Sequence, residues 1–132
     1  MSGESRENIS NPRESLVSDY FKLVSLGDVS GLSNLFSDDS VIYEPFSKSE
    51  CLIGKSEIVP FLRTVIMANK GMHYNLEIEK PEQSSDENLV FVLVRFSKGG
   101  STTGKFRFEF QPHDESNCLK IKTIHIEFIH TI

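Results

Sequence analysis

The sequence predicts an α+β fold, in which three N-terminal helices are followed by an antiparallel sheet. Up to about residue 69, apolar residues recur at the spacing of a helix, and one short strand at residues 40–44 interrupts them. From Met72 onward the period changes to two, as in half-buried strands. Helices first and strands afterwards indicate an α+β layout. We therefore expect a strongly bent antiparallel sheet that wraps around the three helices as a cone.

The first helix has clear sequence signals at both ends. Asn11 is suited to the N-cap, Pro12 to the first helical position and Glu14 to a capping box. Gly27 is placed to end the helix, because glycine readily adopts the left-handed backbone found after a helix C-terminus. The apolar stripe of this helix consists of Leu16, Val17, Tyr20, Phe21, Leu23 and Val24.

A short second helix and a strand are predicted next. Asp28 can cap the helix, which carries apolar residues at Leu32, Leu35 and Phe36. The polar run SDDS then breaks the pattern before the strand at residues 40–44.

A third helix is predicted after a loop that includes FSKSECLIG. It runs from about Lys55 to Asn69, and Pro60 must lie near its start or kink it. Its apolar residues are Ile58, Phe61, Leu62, Val65 and Ile66.

The C-terminal half contains four predicted strands, at residues 72–79, 89–96, 105–111 and 118–130. The last strand changes face along its length, because Leu119 and Ile121 have odd parity whereas Ile124, Ile126 and Phe128 have even parity. A bulge or bend near Lys122 and Thr123 would reconcile the two faces.

Length and charge narrow the class of protein. The 132 residues suit a single domain over residues 11–132, preceded by a mobile polar tail at residues 1–10. The 19 acidic residues exceed the 14 basic ones, which are scattered, so nucleic acid and membrane are not expected partners. The polar start and the lack of a long apolar run predict a cytoplasmic protein. Its two cysteines, Cys51 and Cys118, are therefore expected to be reduced thiols.

Glu44 is a carboxylate directly after strand-forming residues and directly before Pro45. It shares strand parity with Ile42, so it can face the interior, where burial disfavours the charged form and suits a carboxyl group to acid or base catalysis near neutral pH. The alternative is that Glu44 points to water at the end of the strand.

Tyr20 lies in the middle of the apolar stripe of the first helix. A buried tyrosine hydroxyl normally requires a hydrogen-bond partner, which can be a ligand oxygen. The alternative is a core tyrosine whose hydroxyl reaches the surface or a backbone carbonyl.

A row of apolar side chains is the candidate wall of a small-molecule cavity. Phe106, Phe108 and Phe110 share one face of their strand, and the same residues can serve simply as core. The predicted substrate-binding residues are Phe61, Phe106, Phe108, Ile124, Ile126 and Phe128.

No metal site or cofactor site is predicted. The histidines do not show the spacing of zinc ligands, and GKS at residues 54–56 lacks the earlier glycine of a phosphate-binding loop.

Over roughly residues 13–130 the sequence resembles the nuclear transport factor 2-like superfamily, within it the ketosteroid isomerase and SnoaL-like branch. The resemblance is carried by YFKLVSLGDVSGLSNLFSDDSVIYEPF and GKSEIVPFL. It implies a cystatin-like α+β roll. By the same resemblance Glu44 matches the general base of the isomerases, and Tyr20, 24 residues earlier, matches their oxyanion-hole tyrosine. Phe106 stands where the isomerases have a protonated aspartate, and phenylalanine cannot donate a hydrogen bond.

Three functions are compatible with these observations. The first is cofactor-free proton transfer next to a carbonyl, of the isomerase or cyclase type, by Glu44 and Tyr20. The second is binding of a small apolar molecule without reaction. The third is an interaction module that forms a homodimer through the outer surface of the sheet. The strand at 89–96 motivates it, because both of its faces are apolar, with Phe91 and Leu93 on one and Val90, Val92, Val94 and Phe96 on the other, and the helices can cover only one.

Overall fold

The computed structural model describes residues 12–45, 51–79, 88–97, 100–113 and 118–129. Three α-helices occupy Pro12–Leu26 (α1), Val29–Asn34 (α2) and Lys55–Ala68 (α3). Six strands occupy Phe36–Tyr43 (β1), Cys51–Ile53 (β2), His73–Glu79 (β3), Leu89–Ser97 (β4), Ser101–His113 (β5) and Cys118–Ile129 (β6). The predicted tail, residues 1–10, and the predicted cap Asn11 lie outside the described residues.

The strands form one sheet in the order β2-β1-β6-β5-β4-β3. β3 to β6 are an antiparallel meander, β1 pairs with β6 in parallel, and β2 pairs with β1 in antiparallel orientation. The predicted α+β roll, with its curled sheet and three helices, is therefore confirmed.

The helix boundaries follow their local sequence signals. Gly27 adopts a left-handed backbone with φ of 72° and ends α1. The Asp28 side chain accepts a hydrogen bond from the backbone N–H of Gly31 at 2.9 Å, which confirms Asp28 as the cap of α2. Pro60 lies in the second turn of α3.

The predicted bulge in the last strand is confirmed. Glu109 pairs with Thr123 and Phe110 pairs with Ile121, so Lys122 is the extra residue on β6. This residue switches the parity of the buried side chains, so that both Ile121 and Ile124 are buried.

β1 begins earlier than predicted, because Phe36 belongs to the strand and SDDS does not interrupt it. These polar residues form a wide irregularity in the pairing of β1 with β6. Phe36 pairs with Ile121 and Val41 pairs with Thr123, so β1 advances by five residues while β6 advances by two. Two buried hydroxyl groups stabilise it: Ser40 Oγ lies 2.6 Å from the carbonyl oxygen of Ile121 and 2.9 Å from Ser37 Oγ. Side-chain hydrogen bonds to the neighbouring strand therefore replace the apolar pattern expected of a strand.

Two other strand assignments differ from the sequence prediction. β2 lies in the segment predicted as a loop, and its three residues are too few to show a period. β5 begins at Ser101, in a run of small and polar residues predicted as a turn, because pairing with β4 extends it.

The core lies between the helices and the inner face of the sheet. Val90, Val92 and Val94 of β4 are buried on this face, whereas Phe91 and Leu93 lie partly exposed on the outer face. Among the described residues, no helix is long and apolar enough to cross a membrane.

Candidate functional site

A pocket of about 580 Å³ lies between the C-terminal ends of α1 and α3 and the inner face of the sheet. Strand residues from β3 to β6 form its other wall. Its aromatic and aliphatic lining side chains are Tyr20, Phe21, Val24, Phe61, Val65, Ala68, Met72, Tyr74, Phe96, Phe106, Ile126 and Phe128. In the parts of the chain that the structure describes, no charged side chain lines this pocket.

Tyr20 lines the pocket, although the residue is only 2% exposed. Its ring packs edge to face against Phe21 and Phe108, with centroids 4.9 and 5.6 Å away. The Tyr20 hydroxyl makes no hydrogen bond to a described residue. Among the described residues, every polar side-chain atom that is completely buried has a hydrogen-bond partner. The hydroxyl therefore keeps some accessible surface. Burial raises the pKa of Tyr20 above its ordinary value, so the phenol is protonated and can donate at neutral pH.

The predicted wall residues divide into two groups. Phe61, Phe106, Ile126 and Phe128 line the pocket together with Tyr20. Phe108 and Ile124 are fully buried in the core and do not line it. Phe108 packs between the rings of Phe106 and Phe110, with centroids 6.1 and 6.3 Å away, so the phenylalanine row passes from the pocket wall into the core.

Glu44 is buried, with only 5% of the residue exposed, but it is not among the residues that line the pocket. It follows β1 directly, and the last pair of β1 with β6 joins Tyr43 to His125. Glu44 is the residue after Tyr43, and Ile126 is the residue after His125. Ile126 lines the pocket. The structure thus buries Glu44 at the end of β1 and does not bring it into the same lining as Tyr20.

Polar side chains that the sequence reasoning missed contribute to the same lining. They are Ser25, Thr64, Asn69, Ser101 and Thr102, and Tyr74 lines the pocket as well. Ser25 Oγ donates a hydrogen bond to the hydroxyl oxygen of Tyr74 at 3.3 Å, across 49 residues of sequence. Tyr74 belongs to the apolar face of β3, which periodicity does identify, but its contact with α1 depends on the tertiary fold.

Solved structures with the same architecture were found, all with low sequence identity. The epoxide hydrolase/cyclase-like enzyme SalBIII of salinomycin pyran ring formation is 19% identical, with 97% of this chain and 94% of that chain covered and a TM-score of 0.60. A SnoaL-like protein of unknown function from Burkholderia thailandensis is 14% identical, with 89% and 94% covered and a TM-score of 0.68. A steroid delta-isomerase from Pseudomonas aeruginosa is 18% identical, with 89% and 80% covered and a TM-score of 0.63.

The chain has the nuclear transport factor 2-like fold. No family model and no curated protein matches the sequence. Because this fold hosts different functions, the site has to be argued from its own residues.

Within this nuclear transport factor 2-like fold, the outer face of the sheet carries a separate stacked group. The rings of Tyr43 and His125 lie parallel with centroids 4.2 Å apart, and Arg107 Nη2 lies 2.5 Å from His125 Nδ1. Burial and the neighbouring Arg107 lower the pKa of His125. Neutral His125 can therefore accept a hydrogen bond from the guanidinium. Among the described residues, no group of three His, Cys, Asp or Glu is arranged to hold a metal ion.

Proposed function

We propose that this domain is a cytoplasmic SnoaL-like or ketosteroid isomerase-like protein that binds a small, uncharged hydrophobic molecule in the pocket. The observation that carries the proposal is the apolar pocket of about 580 Å³ with Tyr20 among its lining residues. Pockets for small molecules typically span roughly 300–1,000 Å³ and combine an apolar lining with a few polar groups. The described lining has this composition.

The chemistry of the lining supports an uncharged ligand. Transfer of an ion into apolar surroundings without a partner is costly, and the described lining offers no charged partner. A neutral ketone or lactone fits better, because Tyr20 can donate a hydrogen bond to its carbonyl oxygen while the aromatic side chains cover its hydrocarbon part.

A thermal-shift series with neutral alicyclic ketones and lactones, and with analogues that carry a carboxylate, tests this proposal. Neutral compounds should raise the melting temperature at saturation, because a ligand that binds only the folded state stabilises it. Their carboxylate analogues should stabilise the protein much less. The proposal is wrong if no neutral compound stabilises the protein or if charged analogues bind equally well.

Tyr20→Phe tests the role of the hydroxyl. Loss of one neutral hydrogen bond should reduce the affinity for a ketone by about 3- to 10-fold. Tyr43→Phe is the matched control, because Tyr43 lies on the outer face of the sheet and should leave the affinity unchanged. Equal affinities of wild type and Tyr20→Phe would show that the Tyr20 hydroxyl does not bind the ligand.

Cofactor-free proton transfer next to a carbonyl is the second candidate function. It is favoured by the burial of Glu44, a carboxyl group that directly follows β1, whose neighbouring strand β6 carries the pocket residue Ile126. Phe106 lines the pocket and supplies no second donor to an enolate oxygen, and a missing donor costs about 3 kcal/mol in transition-state stabilisation. We therefore expect slow turnover at most.

Isomerisation of an unsaturated ketone should be measured with wild type and Glu44→Gln, which keeps the size of the side chain. A rate that falls by two orders of magnitude or more in Glu44→Gln, with unchanged ketone binding, supports the catalytic role. Equal rates in the two proteins would eliminate the catalytic role of Glu44.

We also propose that two copies associate through the outer surface of the sheet. Apolar side chains on this surface support it: Tyr43, Ile53 and Ile129 are 39%, 58% and 37% exposed. Sedimentation of the full chain at micromolar concentration should show a dimer, and Ile53→Lys should weaken it. A monomer across the whole concentration range excludes this assembly.

A further inference from the structure

The hydrogen bond between Ser25 and Tyr74 leaves the hydroxyl proton of Tyr74 unused. Ser25 Oγ is the donor and the phenolic oxygen of Tyr74 is the acceptor, 3.3 Å apart. A phenol has one proton, and this geometry does not use it. The Tyr74 hydroxyl therefore retains its own O–H for another acceptor, while Ser25 fixes the position of its oxygen.

Packing holds the Tyr74 ring at the pocket wall. The ring lies against Phe21 of α1, with centroids 5.8 Å apart, and Tyr74 is paired across β3 and β4 with Phe96. Phe21 and Phe96 also line the pocket. A donor held by a helix and by a neighbouring strand needs little reordering when a ligand binds.

Two tyrosines thus line one pocket, Tyr20 on α1 and Tyr74 on β3. The Tyr20 hydroxyl has no acceptor among the described residues, and Ser25 occupies only the oxygen of Tyr74. Ligand binding is therefore strongest when an acceptor oxygen of the ligand lies within hydrogen-bond distance of each phenol O–H.

We propose that Tyr74 is a second polar anchor of the pocket, and that the ligand is a neutral hydrophobic molecule with two separated hydrogen-bond acceptors, such as a diketone, a keto-ether or a keto-lactone. This inference rests on the proposed binding function, and it names the ligand class that function serves. Tyr20 binds one acceptor and Tyr74 binds the other. Ser25 is a positioning residue, because it acts on the ligand only through Tyr74.

The test removes donors from the protein and acceptors from the ligand. The probes are androstenedione, which has a ketone at each end of a rigid ring system, and the two monoketones that each lack one of these carbonyl groups. Dissociation constants are measured by calorimetry for wild type, Tyr20→Phe, Tyr74→Phe and the control Tyr43→Phe. All four proteins are checked for equal melting temperatures without ligand.

Wild type should bind the diketone more tightly than either monoketone. Tyr74→Phe should weaken diketone binding by about 3- to 10-fold. It should leave the affinity for at least one monoketone unchanged within about 2-fold, since a single carbonyl can be satisfied by Tyr20 alone. Ser25→Ala should reduce the diketone affinity by a smaller factor in the wild type and not at all in the Tyr74→Phe background.

Two results would overturn the inference. One is an unchanged diketone affinity in Tyr74→Phe, and the other is an equal loss for the diketone and both monoketones, which indicates a packing effect. Both leave the proposed function intact, because ketones still bind. If none of the three ketones binds to wild type, the proposed function fails and this inference fails with it.

Discussion

Phe106 and Phe108 are the same residue type on the same face of the same strand, but they lie in different surroundings. Phe108 is fully buried, whereas Phe106 lines the pocket and is 6% exposed. On the neighbouring strand, Ile124 and Ile126 show the same division. The inner face of the sheet thus has a closed end, packed as core, and an open end, which forms the pocket wall.

The lengths of the elements account for this difference. The 15 residues of α1 extend over about 22 Å. The 13 residues of β5 extend over about 43 Å. One helix therefore cannot cover a whole strand, and the pocket lies where the last turns of α1 and α3 meet the ends of the strands. The open end follows from the dimensions of the fold and does not require a special residue.

Truncation of Phe108 should have the largest effect on stability. Phe108→Ala leaves a cavity in a closed core, so the free energy of unfolding should fall by about 3–5 kcal/mol. Phe106→Ala removes a ring that already borders the pocket, and we expect a loss of about 2 kcal/mol together with weaker ligand binding. Urea denaturation measures both, and equal losses in the two variants would contradict the division into a closed and an open end.

The hydroxyl groups of the β1 irregularity stabilise the closed end. Ser40 is fully buried, and its Oγ lies 2.6 Å from the carbonyl oxygen of Ile121. Ser40→Ala should lower the free energy of unfolding by about 2 kcal/mol, because the short buried hydrogen bond is lost and the Ile121 carbonyl keeps only the longer one, 3.4 Å, from Ser37 Oγ. Ser40→Thr keeps the hydroxyl and serves as the control for its loss. Ketone affinity should not change in Ser40→Ala, and a large change would show that the two ends are coupled.

The sequence was sufficient for the elements that have a strong period. Alternating parity located the strands, and the change of parity between Ile121 and Ile124 located the bulge at Lys122. The sequence could not show β2, because three residues carry no period, or the role of SDDS, because its hydroxyl groups bind a strand some 80 residues away.

The site was predictable only in part. Whether a side chain lines the pocket depends on how far the helices extend over the sheet in the folded protein. The helical stripe identified Tyr20, but strand parity alone could not distinguish Phe106 from Phe108. Parity placed Glu44 on the buried side, and the structure agrees on its burial. It could not show that Glu44 would be absent from the pocket lining, which depends on the packing around the end of β1.

Gly104 offers the smallest change in stability and the sharpest test of the open end. A Cβ at this position would lie 3.0 Å from Cε1 of Phe106 and 3.4 Å from ring atoms of Phe96 and Phe128. All three rings line the pocket, so the Phe106 ring can shift into free space instead of into packed core. Because Gly→Ala also reduces the entropy of the unfolded chain, Gly104→Ala should cost only about 1 kcal/mol.

The same substitution should narrow the pocket, so that large ketones bind more weakly while small ones are affected little. Calorimetric titration with ketones of one, two and four rings gives this size dependence. If Gly104→Ala were as destabilising as Phe108→Ala, the rings around Gly104 would have no room to move. The open end would then be as tightly packed as the closed one.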